Sequence, residues 1–176
     1  MVIRQTETIF GIDFDGTCVT HEFPEVGKDI GAIPVLRKLV ENGHKLILFT
    51  MRSDVVNPTG ISNELHLESG NYLTDAVNWF VENDIPLYGI QTNPTQHNWT
   101  TSPKAYCHIY IDDAALGCPL TQYPLRVNEK QFLEEYGYNP FLSPPDGEGF
   151  CWYEVKRPYV DWIIVEQMLI NKGYIV

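Results

Sequence analysis

The sequence predicts a single α/β domain: a Rossmann-like open sheet, mainly parallel, with helices on both faces and no large cap domain. Three observations predict this fold. The 176 residues are the length of one ordinary domain. Short apolar runs alternate along the chain with segments of helical spacing. Three of the apolar runs end in polar side chains, as strands do at the ligand-binding edge of a parallel sheet.

The first fifty residues predict a strand, a helix and a second strand. Residues 8–14 form an apolar run followed by Asp15, which is typical of a buried strand with a polar carboxyl end. Apolar residues then recur at helical spacing between Pro34, which suits a first helical turn, and Gly43, which suits a helix end. Residues 44–50 form the second strand. A strand–helix–strand unit implies a parallel pair joined by a right-handed crossover.

The middle of the chain continues the alternation. Residues 54–70 are polar and predict a loop. A predicted amphipathic helix follows, with apolar residues at i, i+3, i+4, i+7 and i+8: Leu73, Ala76, Val77, Phe80 and Val81. Residues 87–90 predict a short third strand, and residues 91–103 a loop. Residues 105–111 predict a fourth strand, which again ends in acids.

The last third of the chain is less regular. Residues 128–136 predict a short helix capped by Asn128, and residues 160–172 a final helix. Between them, residues 139–158 are rich in proline and aromatic side chains. This segment could be a lid or a partner surface, or a structural loop that covers the edge of the sheet.

Composition restricts the function. Twelve Lys and Arg against 23 Asp and Glu give a net charge of −11, which disfavours nucleic acid and an anionic membrane as partners. No apolar run is long enough to span a membrane. The four cysteines lack CxxC spacing and favour reduced thiols in a cytoplasmic protein over a disulfide or a zinc site. A small phosphorylated substrate remains compatible if the site carries a cation.

Polar side chains lie at three predicted strand ends. Any one acid there could be a helix cap or a loop residue, but three strand ends that converge favour a site. Carboxylates packed together need a cation, and oxygen ligands without a His or Cys cluster indicate Mg²⁺. The residues concerned are Asp13, Asp15, Thr50, Arg52, Asp112 and Asp113.

These residue types suit phosphoryl transfer. A carboxylate can attack a phosphoryl group, and a second acid can protonate the leaving oxygen and then deprotonate water. A Thr hydroxyl and a Lys, here Thr50 and Lys104, can bind the phosphoryl oxygens. Arg52 could bind a phosphate or a substrate carboxylate, or form a surface ion pair. His21 and Glu22 follow the first acidic pair and could face a substrate or simply be exposed.

Four segments resemble the motifs of the haloacid dehalogenase superfamily of phosphohydrolases, in the order in which that superfamily carries them. Residues 13–17, Asp-Phe-Asp-Gly-Thr, are similar to its first motif, and residues 48–50 to its second. Lys104 is similar to the third motif, and residues 111–113 to the acidic fourth. The resemblance spans residues 8–117.

The resemblance implies a role for each matched residue. Asp13 would be the nucleophile and a metal ligand, and Asp15 the general acid/base, with its main-chain carbonyl on the metal. Thr50 and Lys104 would bind the transferring phosphoryl group. The last two acids would complete the Mg²⁺ site, Asp112 directly and Asp113 directly or through water. An acid at position 15 favours hydrolysis over the other chemistry of the superfamily.

The chain is similar to a group of small bacterial and phage hydrolases within that superfamily, through residues 23–27, 49–52 and 110–113. One domain of residues 1–176 is expected, with a family-atypical insertion near 118–157. The loop 18–30 is too short for a cap domain, so an open site is expected, or an oligomer that supplies a lid. The implied function is a Mg²⁺-dependent phosphatase. A nucleotidase, a nucleic-acid-end phosphatase and a non-catalytic module that binds Mg²⁺ and phosphate remain alternatives.

Overall fold

The structure is a computed structural model that describes residues 7–55, 69–136 and 142–176. A parallel four-stranded sheet lies at its centre, in the strand order β3-β2-β1-β4. This confirms the predicted open parallel sheet. The strands are β1 (Ile9–Ile12), β2 (Lys45–Leu48), β3 (Gly89–Ile90) and β4 (Ile109–Ile111).

The strands are shorter than the apolar runs that predicted them. Each strand ends where its backbone stops pairing with a neighbour, so only Ile109–Ile111 of the predicted run 105–111 pair with β1. Asp13 lies just beyond β1, although its backbone N–H still donates to the carbonyl of Ile111 at 3.0 Å. Most of the predicted loop 54–70, residues 56–68, lies outside the described residues.

Three helices bury their apolar residues against one face of the sheet, the face of Phe10, Ile12 and Leu46. They are α1 (Ala32–Glu41), α2 (Tyr72–Glu82) and α4 (Trp162–Asn171). Side-chain caps mark where two of these helices begin. The Asp29 carboxylate accepts hydrogen bonds from the first N–H groups of α1, and the Asp161 carboxylate accepts those of α4. The helices that the periodicity predicted are therefore present.

The opposite face of the sheet differs from the helical layer that the prediction of helices on both faces implied. There Ile9 and Ile47 are covered by Ala105, with Tyr88 and Cys107 beside it. The crossovers β1–β2 and β2–β3 run in the same direction and put their helices on one face, whereas the β3–β4 crossover returns past β1 to the other face. In the described chain this returning crossover contains one 3-10 turn, Gln96–Asn98, instead of a long helix.

Three short strands in the insertion, and a fourth just after it, were not predicted from the sequence. β5 (Leu120–Thr121) pairs with β8 (Tyr159–Val160), and β6 (Leu125–Asn128) pairs with β7 (Phe150–Tyr153), both antiparallel. Strands of two to four residues are too short to show a periodic pattern. The predicted helix, α3 (Glu129–Tyr136), follows β6, and Asn128 caps it by accepting the Gln131 N–H at 3.0 Å.

The insertion and the sheet share one core. Phe132, Tyr153 and Val155 are buried in the same apolar cluster as the strands and helices around the sheet. Within the described ranges, no helix is both long enough and apolar enough to cross a bilayer.

Candidate metal and phosphate site

The acids of the first and fourth motifs meet at the carboxyl ends of β1 and β4. The chain crosses from one side of β1 to the other between β3 and β4, so these ends flank the topological switch point where open sheets bind ligands. Carboxylate oxygens of Asp13, Asp112 and Asp113 all lie within 4.8 Å of one another. Each of the three residues is half-buried. The sheet topology thus brings together two chain positions that are about a hundred residues apart.

Thr17 links the two strand ends. Its fully buried hydroxyl donates to Oδ2 of Asp13 at 3.1 Å and accepts the backbone N–H of Asp113 at 3.1 Å. Sequence reasoning included Thr17 in the first motif but gave it no role. The signal was its position four residues after Asp13, although the contact with Asp113 is visible only in three dimensions.

The cluster is electrostatically unfavourable without a cation. Burial raises the pKa of Asp13 to about 7; the hydrogen bond from the Phe14 N–H opposes this, and the charge of Asp112 adds to it. Burial also raises the pKa of Asp113, against the lowering effect of His21. A divalent cation would stabilise the ionised forms of Asp13 and Asp113, because its positive charge would offset the negative charge of the clustered carboxylates.

The donor set fits Mg²⁺. The three acids offer oxygen atoms only, which is what Mg²⁺ prefers. Opposite ligands of a magnesium ion stand about 4 Å apart, twice its bond length of about 2.1 Å, so a separation below 4.8 Å needs little adjustment. Asp13, Asp112 and Asp113 are therefore the residues that would hold the ion.

Asp15 points its carboxylate to Arg52. The two side chains form a bidentate pair: Nε of Arg52 donates to Oδ2 of Asp15 at 2.7 Å, and Nη2 donates to Oδ1 at 2.7 Å. Arg52 was predicted to bind phosphate or to form a surface ion pair. The structure shows an ion pair that is buried on the arginine side, since the Arg52 side chain is 1% exposed and that of Asp15 is 20% exposed.

Thr50 lies at the carboxyl end of β2, next to the end of β1. The Gln91 side chain holds its backbone, accepting the Thr50 N–H at 3.1 Å and donating to the Thr50 carbonyl at 2.6 Å. The Thr50 hydroxyl accepts the backbone N–H of Arg52 at 3.3 Å. This strand end is thus fixed by a side chain from the neighbouring β3–β4 connection, which sequence reasoning did not identify.

Lys104 is exposed, and its Nζ lies 5.1 Å from the centre of the Tyr110 ring. Among the described residues it forms no ion pair with the acidic cluster. Its predicted contact with a phosphoryl group therefore stays a prediction. The cation–π contact places the Lys104 ammonium beside Tyr110 of β4, and Tyr110 is two residues before Asp112.

His21 connects the acidic cluster to the chain just after the insertion. Its Nε2 lies 3.2 Å from Oδ2 of Asp113 and 3.2 Å from the carbonyl of Pro158. Gly16 makes this approach possible: its φ is +79°, and a Cβ there would overlap the His21 ring. Of the two loop residues that sequence reasoning weighed, His21 therefore faces the site.

The insertion and the chain that follows it, up to the start of α4, contact the first motif and its loop directly. The indole N–H of Trp162 donates to the carbonyl of Thr17 at 2.6 Å, and the Val160 N–H donates to the carbonyl of Gly16 at 2.8 Å. The Tyr153 hydroxyl donates to the Glu22 carboxylate. Strand β8, the start of α4 and Tyr153 of the insertion therefore pack beside the first motif and the loop that follows it.

The fold and the site together define an α/β protein with a parallel sheet and an acidic cluster at its switch point. No family model matches the chain, and no curated protein matches it. Among solved structures it is similar to a conserved protein from Bacteroides thetaiotaomicron, at 27% identity and a TM-score of 0.51. The match covers 64% of this chain and 80% of that protein. This likeness supports the α/β fold.

Proposed function

We propose that the protein is a Mg²⁺-dependent phosphomonoester hydrolase that works through an aspartyl-phosphate on Asp13. The observation that carries the proposal is the meeting of Asp13 with Asp112 and Asp113 at the switch point, within 4.8 Å. A second acid, Asp15, lies two residues further along. The resemblance of these segments to the haloacid dehalogenase motifs supports the same reaction.

The chemistry divides between the two acids of the first motif. An oxygen of the Asp13 carboxylate attacks the phosphorus, the bond to the leaving oxygen breaks, and Asp15 delivers a proton to that oxygen. Asp15 then takes a proton from a water molecule, whose oxygen attacks the phosphorus and breaks its bond to Asp13. Inorganic phosphate leaves, and both carboxyl groups return to their starting states.

The other residues bind and orient. The Thr17 hydroxyl donates to one oxygen of Asp13 and so orients the plane of its carboxylate. Thr50 and Lys104 would bind the phosphoryl oxygens. Mg²⁺, when bound, would offset the negative charge of the carboxylates and the substrate.

The surroundings of the site favour a small substrate in a reducing compartment. The net charge of −11 opposes a polyanion but allows a compact phosphate held by a cation. All four cysteines are free thiols, which supports our proposal of a cytoplasmic protein.

The test is hydrolysis of a panel of phosphomonoesters, including p-nitrophenyl phosphate and nucleotides, by the wild-type protein and the Asp13→Asn variant with Mg²⁺ or EDTA. We expect turnover with Mg²⁺ only, at least a thousandfold loss in the variant, and an acid-stable, hydroxylamine-labile phosphoryl label on the wild type alone. Asp84→Asn is the matched control, because Asp84 is exposed with a φ of +54° that asparagine tolerates.

Two results would overturn the proposal. Full activity of Asp13→Asn would refute the aspartyl-phosphate. Binding of Mg²⁺ and phosphate by the wild type without turnover of any ester would indicate a non-catalytic module instead.

A further inference from the structure

We propose that Arg52 is a positioning residue for Asp15: it holds the carboxyl group that transfers the proton, and it does not bind the substrate phosphate. This inference rests on the proposed function, because it assigns Arg52 to the acid/base step of that reaction. Three observations carry it: the use of every donor of the guanidinium, its burial, and its connection to the loop after the first motif.

The guanidinium has no donor left for a substrate. Its five N–H groups have five acceptors within reach. Two are the Asp15 oxygens, both at 2.7 Å. The others are main-chain carbonyls: Pro24 at 3.1 Å and Tyr72 at 3.5 Å from Nη1, and Glu25 at 2.7 Å from Nη2. A phosphate could bind Arg52 only by displacing one of these partners.

Burial makes this arrangement rigid. The Arg52 side chain is 1% exposed, and the rings of Phe14 and Phe23 lie 5.0 and 5.2 Å from the central carbon of its guanidinium. A charge this deep in the protein is stable only while its hydrogen-bond partners stay in place. Asp15 is 20% exposed, so Arg52 holds the carboxyl group on its buried side while part of the side chain remains accessible.

The pair also ties Asp15 to a loop. The carbonyls of Pro24 and Glu25 belong to the segment between the first motif and α1, and Phe23 covers the guanidinium from the same segment. Arg52 itself follows Thr50 at the end of β2. The orientation of Asp15 is therefore set jointly by β2 and by this loop.

A residue that positions the general acid has a signature that a phosphate ligand lacks. Protonation of the leaving oxygen matters greatly for an alkyl phosphate and little for p-nitrophenyl phosphate, whose leaving group is stable as an anion. Disturbing Asp15 should thus lower kcat/KM selectively for the alkyl ester, because kcat/KM includes no step after formation of the aspartyl-phosphate, which both esters share. Loss of a phosphate ligand should weaken the binding of both esters to the same extent and so raise the KM of each.

The experiment compares kcat and KM for n-propyl phosphate and p-nitrophenyl phosphate in wild type, Arg52→Lys, Arg52→Ala and Asp15→Asn. We expect Arg52→Lys to lower kcat/KM at least tenfold more for the alkyl than for the aryl ester. Asp15→Asn should show the same selectivity, more strongly, and adding Arg52→Lys to it should not increase the selectivity. Arg37→Lys is the matched control, since Arg37 is exposed and donates to a distant loop carbonyl, that of Asn83.

Two further measurements separate positioning from a merely structural role. Guanidinium chloride at millimolar concentration should restore alkyl-ester turnover to Arg52→Ala, because the buried site left by the side chain matches this ion. The Mg²⁺-dependent rise in melting temperature should persist in Arg52→Lys, since Arg52 contacts none of the three clustered carboxylates. If the arginine variants do not fold, Phe23→Leu, which removes one ring from the guanidinium, should give a smaller selective loss on the alkyl ester.

Distinct results would overturn the two proposals. An equal loss of kcat/KM on both esters, or a KM rise above tenfold with unchanged kcat, would make Arg52 a phosphate ligand and leave the phosphatase intact. No change in the folded variants would remove Arg52 from the reaction. A wild-type protein that hydrolyses neither ester would instead refute the proposed function.

Discussion

Asp112→Asn should stabilise the metal-free protein and abolish its stabilisation by Mg²⁺. The Asp112 carboxylate lies within 4.8 Å of oxygens of Asp13 and Asp113, and its charge raises the pKa of both. An asparagine keeps the oxygen that accepts the Ala114 N–H at 2.8 Å, so the local turn should survive. The substitution thus removes a charge and little else.

The magnitude follows from the distance. Two full charges 4.8 Å apart repel by about 3.5 kcal/mol at an effective dielectric constant near 20, and by about 0.9 kcal/mol at the value of water. The three acids are half-buried, so we expect a gain of roughly 1–2 kcal/mol after solvent screening. In a domain of this size that corresponds to about 2–8 °C in melting temperature.

The gain should depend on pH with a definite sign. Burial, opposed by the Phe14 hydrogen bond and reinforced by Asp112, raises the pKa of Asp13 from 3.8 to about 7 in the folded state. A carboxyl with a raised folded pKa costs stability as pH rises through the window between those two values. The variant should therefore gain most at pH 8, where Asp13 is ionised, and less at pH 5.5.

The assay is thermal unfolding at both pH values with EDTA, then with Mg²⁺, at constant ionic strength set with NaCl. The wild type should gain about 2.7 kcal/mol when Mg²⁺ reaches roughly a hundred times its Kd, and Asp112→Asn should gain little. Asp84→Asn, a single charge removed from an exposed turn, controls for net charge. A lower melting temperature of the metal-free variant at pH 8, or an undiminished response to Mg²⁺, would refute the reasoning.

Two structural predictions concern the contacts around the first motif. Gly16→Ala should lower the free energy of unfolding by more than the roughly 1–2 kcal/mol that a positive φ costs alanine, because the new Cβ overlaps His21. Gly43→Ala is the control: its φ is +84° and nothing lies within 4 Å of the new Cβ, so it should show the backbone strain alone. Equal losses in urea unfolding would contradict the overlap. Trp162→Phe should cost about 1–3 kcal/mol by leaving the carbonyl of Thr17 buried without its donor, and a loss below about 0.5 kcal/mol in the same assay would show that this bond contributes little.

Local sequence pattern was enough to predict the two strands that carry the site and the acids at their carboxyl ends. The first strand and the acids after it are contiguous in sequence, and so are the fourth strand and Asp112. Because parallel strands present their carboxyl ends at one edge, the meeting of Asp13 with Asp112 followed from two short segments. The cap at Asn128 and the proline in the first turn of α1, Pro34, are equally local signals.

Local pattern could not predict that the β3–β4 crossover returns past β1 to the second face, nor could it predict the short antiparallel strand pairs in and beside the insertion. An amphipathic period needs about ten residues to show itself, whereas β5 and β8 have two residues each. The loop in the β3–β4 crossover was predicted from residues 91–103. Its position on the second face follows from the strand order, which is itself a tertiary property.

The sequence by itself determined an open parallel sheet, the acids at its carboxyl edge and the chemistry those acids suit, because residues at a strand end are placed by their own strand. The tertiary structure alone decided the partners of those acids. Arg52 lies 37 residues from Asp15, and Trp162 lies 145 residues from the Thr17 carbonyl to which it donates. Such contacts depend on how loops fold over the sheet, and no period or spacing in a single chain encodes them.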